Sequence, residues 1–381
     1  MQINAGYIVA MLFVAMVSRS FVFFGNSTVI PTLSALLISI FSLILFDLKI
    51  NLKSIFLISI SIIYVLFVSL VNEASIVGVV KVLSCLTILI ITRAIASKLF
   101  LMNPERCLKL LNILSFGFIF YLLIEALIRI NYGDILSTNV KVYNVDNLDG
   151  IIYQGGFYKY KLGSPFFQDS NFAGLFSLAT LILVMELSRY TKTFIKLKYA
   201  LLTLIIVITL SRALYVSVLV MLLYVKFLDD IAFRKLIIYL IISLFISYIS
   251  IFAILTIFQH DHSFMTKFKV WGDLYNKSFE IDVFSLLFGH GFDIGKYIFS
   301  YNQGSSSHSM IPQLIGEIGL IGTIAYIILL YIYLRRANYG ALYFSIILLI
   351  GFSLFDPWEP MYFLVIGLIT GLNYKVREFR S

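Results

Sequence analysis

The chain has 381 residues, 60% of them hydrophobic and 13% charged, and carries a formal net charge of +9. So few charged groups cannot cover the surface of a soluble domain, which excludes a water-soluble globular protein and points to an all-α, polytopic integral membrane protein. The excess of Lys and Arg is spread over connections between apolar runs, so a nucleic-acid-binding surface is a poor reading of it.

Apolar runs long enough to cross a bilayer fall at roughly 4–24, 29–46, 54–71, 76–96, 108–130, 170–187, 197–210, 213–228, 235–257, 309–334, 340–355 and 361–374, about twelve predicted spans. With both termini in the cytoplasm, the inner loops and tail hold 18 of the 29 Lys and Arg, while the short outer turns at 25–28, 72–75, 211–212 and 356–360 hold one, Arg212. That asymmetry follows the positive-inside rule. The first run lacks a basic leader and a cleavage site and is expected to be a retained span. Cys85 falls in a span and Cys107 in an inner loop, which does not indicate a disulfide framework. No repeat or linker divides residues 1–381, so a single membrane domain is expected.

Two outer loops are long, at about 131–169 and 258–308. Each is too small for a core of its own and is expected to lie against the outer mouth of the bundle. In the second, Phe264, Phe268, Trp271 and Tyr275 recur at helical spacing with Lys267, Lys269, Asp273 and Lys277 between them, which predicts a short amphipathic helix on the membrane surface.

Chemistry has to come from polar groups on the outer side. His308 follows the polar stretch Gly304-Ser305-Ser306-Ser307 and leads into an apolar run, with Gly319 and Gly322 at fixed offsets behind it. An imidazole at the junction of loop and span can take a proton from a hydroxyl nucleophile. Gly316, Gly319 and Gly322 recur every third residue, a spacing that also permits close helix packing. His260, His262 and His290 occupy the same loop; no further ligands at a recognisable spacing accompany His260-Asp261-His262, and no metal is expected. Arg212, in Leu210-Ser211-Arg212-Ala213, lies in a tight turn on a side that otherwise avoids cations, and its planar fork suits phosphate; a snorkelling interfacial arginine is the alternative. Residues 163–174 (Gly-Ser-Pro-Phe-Phe-Gln-Asp-Ser-Asn-Phe-Ala-Gly) enter a span, with Asp169 or Ser170 as candidate cap and Asp169 and Asn171 as candidate contacts for sugar hydroxyls.

Pro-Phe-x-x-Asp-x-Asn-Phe-Ala before a span, Ser-Arg-Ala between two spans, Gly-His-Gly late in a large outer loop and His-Ser, nine residues, Gly-x-x-Gly occur in that order. The set resembles the O-antigen polymerase and O-antigen ligase superfamily of membrane glycosyltransferases (Wzy-like and WaaL-like), over about 163–334 by motif. The resemblance implies glycan transfer from an undecaprenyl-pyrophosphate-linked oligosaccharide on the periplasmic side of the inner membrane, without a cofactor. It implies that His308 activates the acceptor hydroxyl, that Arg212 engages the pyrophosphate, and that a chain-length regulator is a candidate partner. Family members often carry a further arginine in the large outer loop; here Lys267 and Lys269 stand in its place, with His290 as another candidate substrate contact.

A polymerase extends a second lipid-linked repeat unit, and a ligase transfers the glycan to the lipid A core. The compact, apolar chain with two substantial outer loops favours the polymerase, with the ligase as the alternative. A flippase for the same lipid-linked units is the rival from another class, expected to keep charges near the bilayer midplane and to show related halves. The candidate groups gather instead at the outer face. Glu125 and Arg129, four residues apart, are expected to form a helical ion pair, and Arg19 and Lys81 to snorkel or to line the same cavity.

Overall fold

The computed structural model describes Leu37 and residues 52–72, 75–137, 166–167, 170–227, 262–300, 307, 309–352 and 356–373. Every regular element among them is helical: α1 (Leu52–Val71), α2 (Ile76–Met102), α3 (Pro104–Ser137), α4 (Ser170–Ser188), α5 (Ile195–Ile208), α6 (Arg212–Phe227), α7 (His262–Lys277), α8 (Val283–Phe288), a 3-10 turn (Gly295–Tyr297), α9 (Met310–Leu334), α10 (Gly340–Gly351) and α11 (Pro360–Leu372). Among the described residues, α2, α3, α4 and α9 are long and apolar enough to cross a bilayer, and shorter apolar helices lie within α1 and α6 and make up α10 and α11. The described residues are those of an all-helical protein with helices suited to a membrane. The predicted spans at 4–24 and 235–257, and 29–46 apart from Leu37, lie outside the described residues.

Proline and asparagine punctuate these helices. Pro104 opens α3, where a missing N–H costs nothing, and the Asn103 side chain caps the new helix by accepting from Arg106 N at 2.9 Å. Pro360 opens α11 in the same way. At its other end α3 runs to Ser137, so the connection predicted from residue 131 begins as helix.

The chain divides into two compact units, one containing Thr87–Val218 and the residues from Pro360 on, the other Ile50–Leu86 and Leu219–Glu359. Two of the boundaries fall inside α2 and α6, and another at the start of α11. The first unit is built round α4. Every residue from Ala173 to Leu187 is buried, as an all-round apolar helix requires, and α3, α5 and α11 pack on it. The expected Glu125–Arg129 pair forms within this unit, Arg129 Nε to Glu125 Oε1 at 3.0 Å, with both side chains 0% exposed. Lys198 is also buried, donating to Ser115 Oγ at 2.6 Å and lying 4.3 Å from the centre of the Phe116 ring. Asn373 donates to Glu186 Oε1 at 2.6 Å and accepts from Tyr190 OH at 2.8 Å. Each of these buried charges has a local partner, the condition under which an apolar interior tolerates them.

The second unit is built round α9, against which α1, α7, α8, α10 and the 3-10 turn pack. The sequence predicts one uninterrupted span here, but the helix breaks at Gly319, whose φ of +66° and ψ of −177° are not helical. A side chain at Gly319 is excluded twice: φ lies in the region only glycine adopts without strain, and a Cβ would stand 2.2 Å from the Leu287 carbonyl oxygen. The 3-10 turn crosses the helix just before the break. A Cβ on Gly316 would stand 2.0 Å from the Gly295 carbonyl oxygen, so glycine on both chains sets that approach. Gly316 and Gly319 are thus a seat for another segment of backbone, whereas a Cβ on Gly322 would meet the Tyr64 ring and the Ile318 side chain.

Gly319→Ala is expected to destabilise the protein by about 2–4 kcal/mol, from backbone strain together with overpacking. Gly272→Ala on α7 is the control: a Cβ there meets nothing within 4 Å, and the change should be neutral or slightly stabilising. Thermal unfolding in detergent, with both variants measured beside the native chain, reads the difference.

Candidate functional site

The break in α9 leaves helical carbonyls without their own amides, and a loop from the preceding segment supplies donors. His290 N donates to Gly316 O at 2.7 Å and Gly291 N to Glu317 O at 3.1 Å. Tyr64 OH of α1 donates to Ile318 O at 2.7 Å. The loop reaches this position from α8, which the Asp282 side chain caps by accepting from Ser285 N at 2.9 Å. Gly289 ends α8 at φ +83°, and a Cβ there would meet the Glu317 carbonyl oxygen at 2.5 Å. Gly-His-Gly is therefore hydrogen-bonded to Gly316 and Glu317, in the nine residues that precede Gly319, and Gly319 itself packs against the Leu287 carbonyl.

Glu317 lies at the centre of it, 3% exposed. Its carboxylate accepts from Trp358 Nε1 at 2.8 Å, from Gln313 Nε2 at 3.3 Å and from Asp293 N at 3.4 Å. Trp358 belongs to the turn between α10 and α11, where its own N–H donates to Asp356 Oδ1 at 3.0 Å and Asp356 is ion-paired with Lys81 of α2. Cys85 Sγ–H donates to Trp358 O at 3.2 Å and Tyr326 OH to Pro357 O at 2.7 Å, so the turn is fixed on several sides. On the other side of the loop Lys296 pairs with Asp293. Lys81, expected to snorkel or to face a cavity, has a carboxylate partner instead.

His290 is half-buried, and its Nε2 has no hydrogen-bond partner. Burial pushes its imidazole below the ordinary range, while the Asp282 carboxylate pulls the other way. A neutral ring with an uncommitted nitrogen can donate to or accept from a ligand oxygen.

His308 lies outside the described residues, as does Asp169. The neighbours of His308 are tied down: Ser307 N donates to Lys296 O at 2.9 Å, and Ser309 Oγ donates to Gly351 O and Phe352 O, each at 3.1 Å. Phe264, Phe268, Trp271 and Tyr275 all fall on α7, and Trp271 stacks on Phe352 at 5.1 Å between ring centres. Lys267 is half-buried and Lys269 exposed on the same helix. Two residues apart on a helix they leave it roughly 200° apart, so they do not make one phosphate clamp.

The remaining two motifs meet in the first unit. Arg212 is the first residue of α6, after a turn in which Leu210 takes φ +53° and the Ser211 carbonyl accepts from Leu214 N and Tyr215 N, both at 3.1 Å. Ser170 Oγ, at the start of α4, donates to Thr209 O in that turn at 2.9 Å. Phe166 stacks on Tyr121 at 4.9 Å and Phe167 packs on Phe176, which seats the chain entering α4. Asn171 is half-exposed on the first turn of α4.

Glu317, Asp356, Trp358 and the Lys81 pairing are missing from the sequence-based site. The signal for Glu317 was present: an ionisable residue inside a predicted span is a functional candidate by its cost alone. Nothing in the spacing connects residue 317 with 293 or 358. No family model, curated protein or solved structure matches this chain.

The lowered proton affinity of His290 sets a pH dependence. The folded loop binds the imidazole proton less readily than the unfolded chain, so stability falls as pH drops from 6.5 through the lowered folded value. His290→Gln should flatten that slope. Thermal unfolding followed across pH 5–8 checks it, and an unchanged slope in the variant would assign the pH dependence to another group.

Proposed function

We propose that this protein is a membrane glycosyltransferase that polymerises undecaprenyl-pyrophosphate-linked O-antigen repeat units on the periplasmic face of the bacterial inner membrane. The observation that carries the reading is the docking of Gly289-His290-Gly291 on the interrupted helix behind His308, which joins two motifs of the resemblance. The meeting of the α4 entry with the turn before Arg212 adds to it.

In this reading His308 takes the proton of the acceptor hydroxyl as its oxygen attacks the anomeric carbon of the donor sugar. The bond from that carbon to the pyrophosphate oxygen breaks, and the lipid pyrophosphate leaves with the electron pair. Its developing charge is met by Arg212, so no acid is needed to protonate the leaving group. His290, Asn171 and the lysines of α7 are polar contacts for the sugars. The ligase differs in acceptor alone and uses the same residues.

A transporter of the same lipid-linked units has one observation in its favour. Broken helices with a buried carboxylate inside the bundle are a frequent construction in secondary transporters, and α9 with Glu317 has that form. It would move the lipid-linked unit across a vesicle membrane without forming a glycosidic bond.

Purified protein in lipid, given the undecaprenyl-pyrophosphate-linked repeat, should produce a ladder of longer glycans on gel electrophoresis. His308→Ala should slow elongation roughly 10²–10⁴-fold, the range for loss of a general base. Arg212→Lys should recover only part of what Arg212→Ala loses, because an ammonium cannot reproduce the bidentate fork. Full elongation by the His308 variant sinks the mechanism. A deletion strain separates the acceptors, a single attached repeat marking a polymerase and none a ligase.

A further inference from the structure

The roles proposed above leave Glu317 unused, although the second unit is arranged around it. Its main chain and side chain hold the same loop at three successive points. The carbonyl before it accepts from His290 N at 2.7 Å, its own carbonyl from Gly291 N at 3.1 Å, and its carboxylate from Asp293 N at 3.4 Å. From the opposite side Trp358 Nε1 donates to Oε2 at 2.8 Å, so the carboxylate cannot turn away from the loop without losing that bond. Gln313 Nε2, one helical turn earlier, completes a set of three donors.

A set of three donors selects for a carboxylate. Two acceptor oxygens and no hydrogen can meet N–H groups from three directions, whereas a glutamine presents one acceptor oxygen and an NH2 that faces an N–H. The three N–H groups are the hydrogen-bond partners of the Glu317 carboxyl, while Lys81 attracts it and Asp356 repels it from further away.

We infer that Glu317 is a positioning residue for His290, fixing the Gly289–Asp293 loop on the broken helix so that the imidazole is presented at a constant place. The link to catalysis rests on the glycosyltransferase reading; the link to the loop does not.

The test uses the full chain in lipid nanodiscs and two measurements on Glu317→Ala, Glu317→Gln and Trp358→Phe. Hydrogen exchange over 289–295 should rise about ten- to hundredfold in Glu317→Ala, the range for losing a hydrogen bond to a charged group, with α4 unchanged. Glu317→Gln should recover part of that protection. In the elongation assay kcat should fall with exchange across the three variants, and KM should rise with it, because the loop that loosens carries His290, a proposed sugar contact. Trp358→Phe keeps the ring and removes one donor, and decides the matter if Glu317→Ala does not accumulate. Native exchange and native kcat in Glu317→Ala, or in Trp358→Phe where that variant decides, would overturn the inference. So would a Glu317→Gln chain with a fully protected loop and no turnover, because Glu317 would then be a reacting group itself. A native chain without elongation activity would remove the glycosyltransferase reading and leave the exchange result to decide the role in the loop.

Discussion

A peptide carbonyl inside an apolar bundle must find a donor, and at the break in α9 three in succession have lost their own. The second unit is organised around that requirement. Gly316, Glu317 and Ile318 take their donors from His290, Gly291 and Tyr64. An unsatisfied group there would cost several kcal/mol, so the loop carrying His290 and the helix that receives it are energetically one element. The glycines follow from the same need, because backbone can reach backbone only where no Cβ intervenes.

The first unit solves a different problem. Its central helix is unbroken and apolar, and its polar groups are handled by pairs: Glu125 with Arg129, Lys198 with Ser115 and Asn112, Glu186 with Asn373. The turn before Arg212 is held by a single hydroxyl from α4 and by close packing, since a Cβ on Gly174 would fall 1.9 Å from Leu214 Cδ1. Arg212 is the first residue of the helix that follows this turn. That suits a residue whose proposed task is to meet charge at a defined place.

Much of this was legible in the sequence, for a physical reason. Hydropathy reports whether a segment is bathed in lipid or protein, so α1 to α6 and α9 to α11 were visible as runs while α8, a short helix in a loop, was not, and the i, i+4 spacing of Glu125 and Arg129 gave their pairing directly. The aromatic residues at 264, 268, 271 and 275 lie on one helix because period 3.6 is a local property. Long-range pairing is not local. Glu317 meets a loop amide 24 residues away and an indole 41 residues away, and no pattern within either segment marks those partners. The break at Gly319 was hidden too, since glycine at every third residue reads equally as helix packing and as an interruption.

The interruption also fixes a depth. Met310–Ile318 is nine residues, about 14 Å of helix, and the hydrocarbon core of a bilayer is about 30 Å thick. With α9 across a bilayer and Met310 at its surface, the Gly289–Asp293 loop would join it about half-way down, as a re-entrant peptide does. Such a peptide persists at that level only when sealed by protein or when it lines an aqueous vestibule. On the proposed reading, a glycan that meets His290 would have to be admitted below the headgroup plane, by about the length of one half-helix.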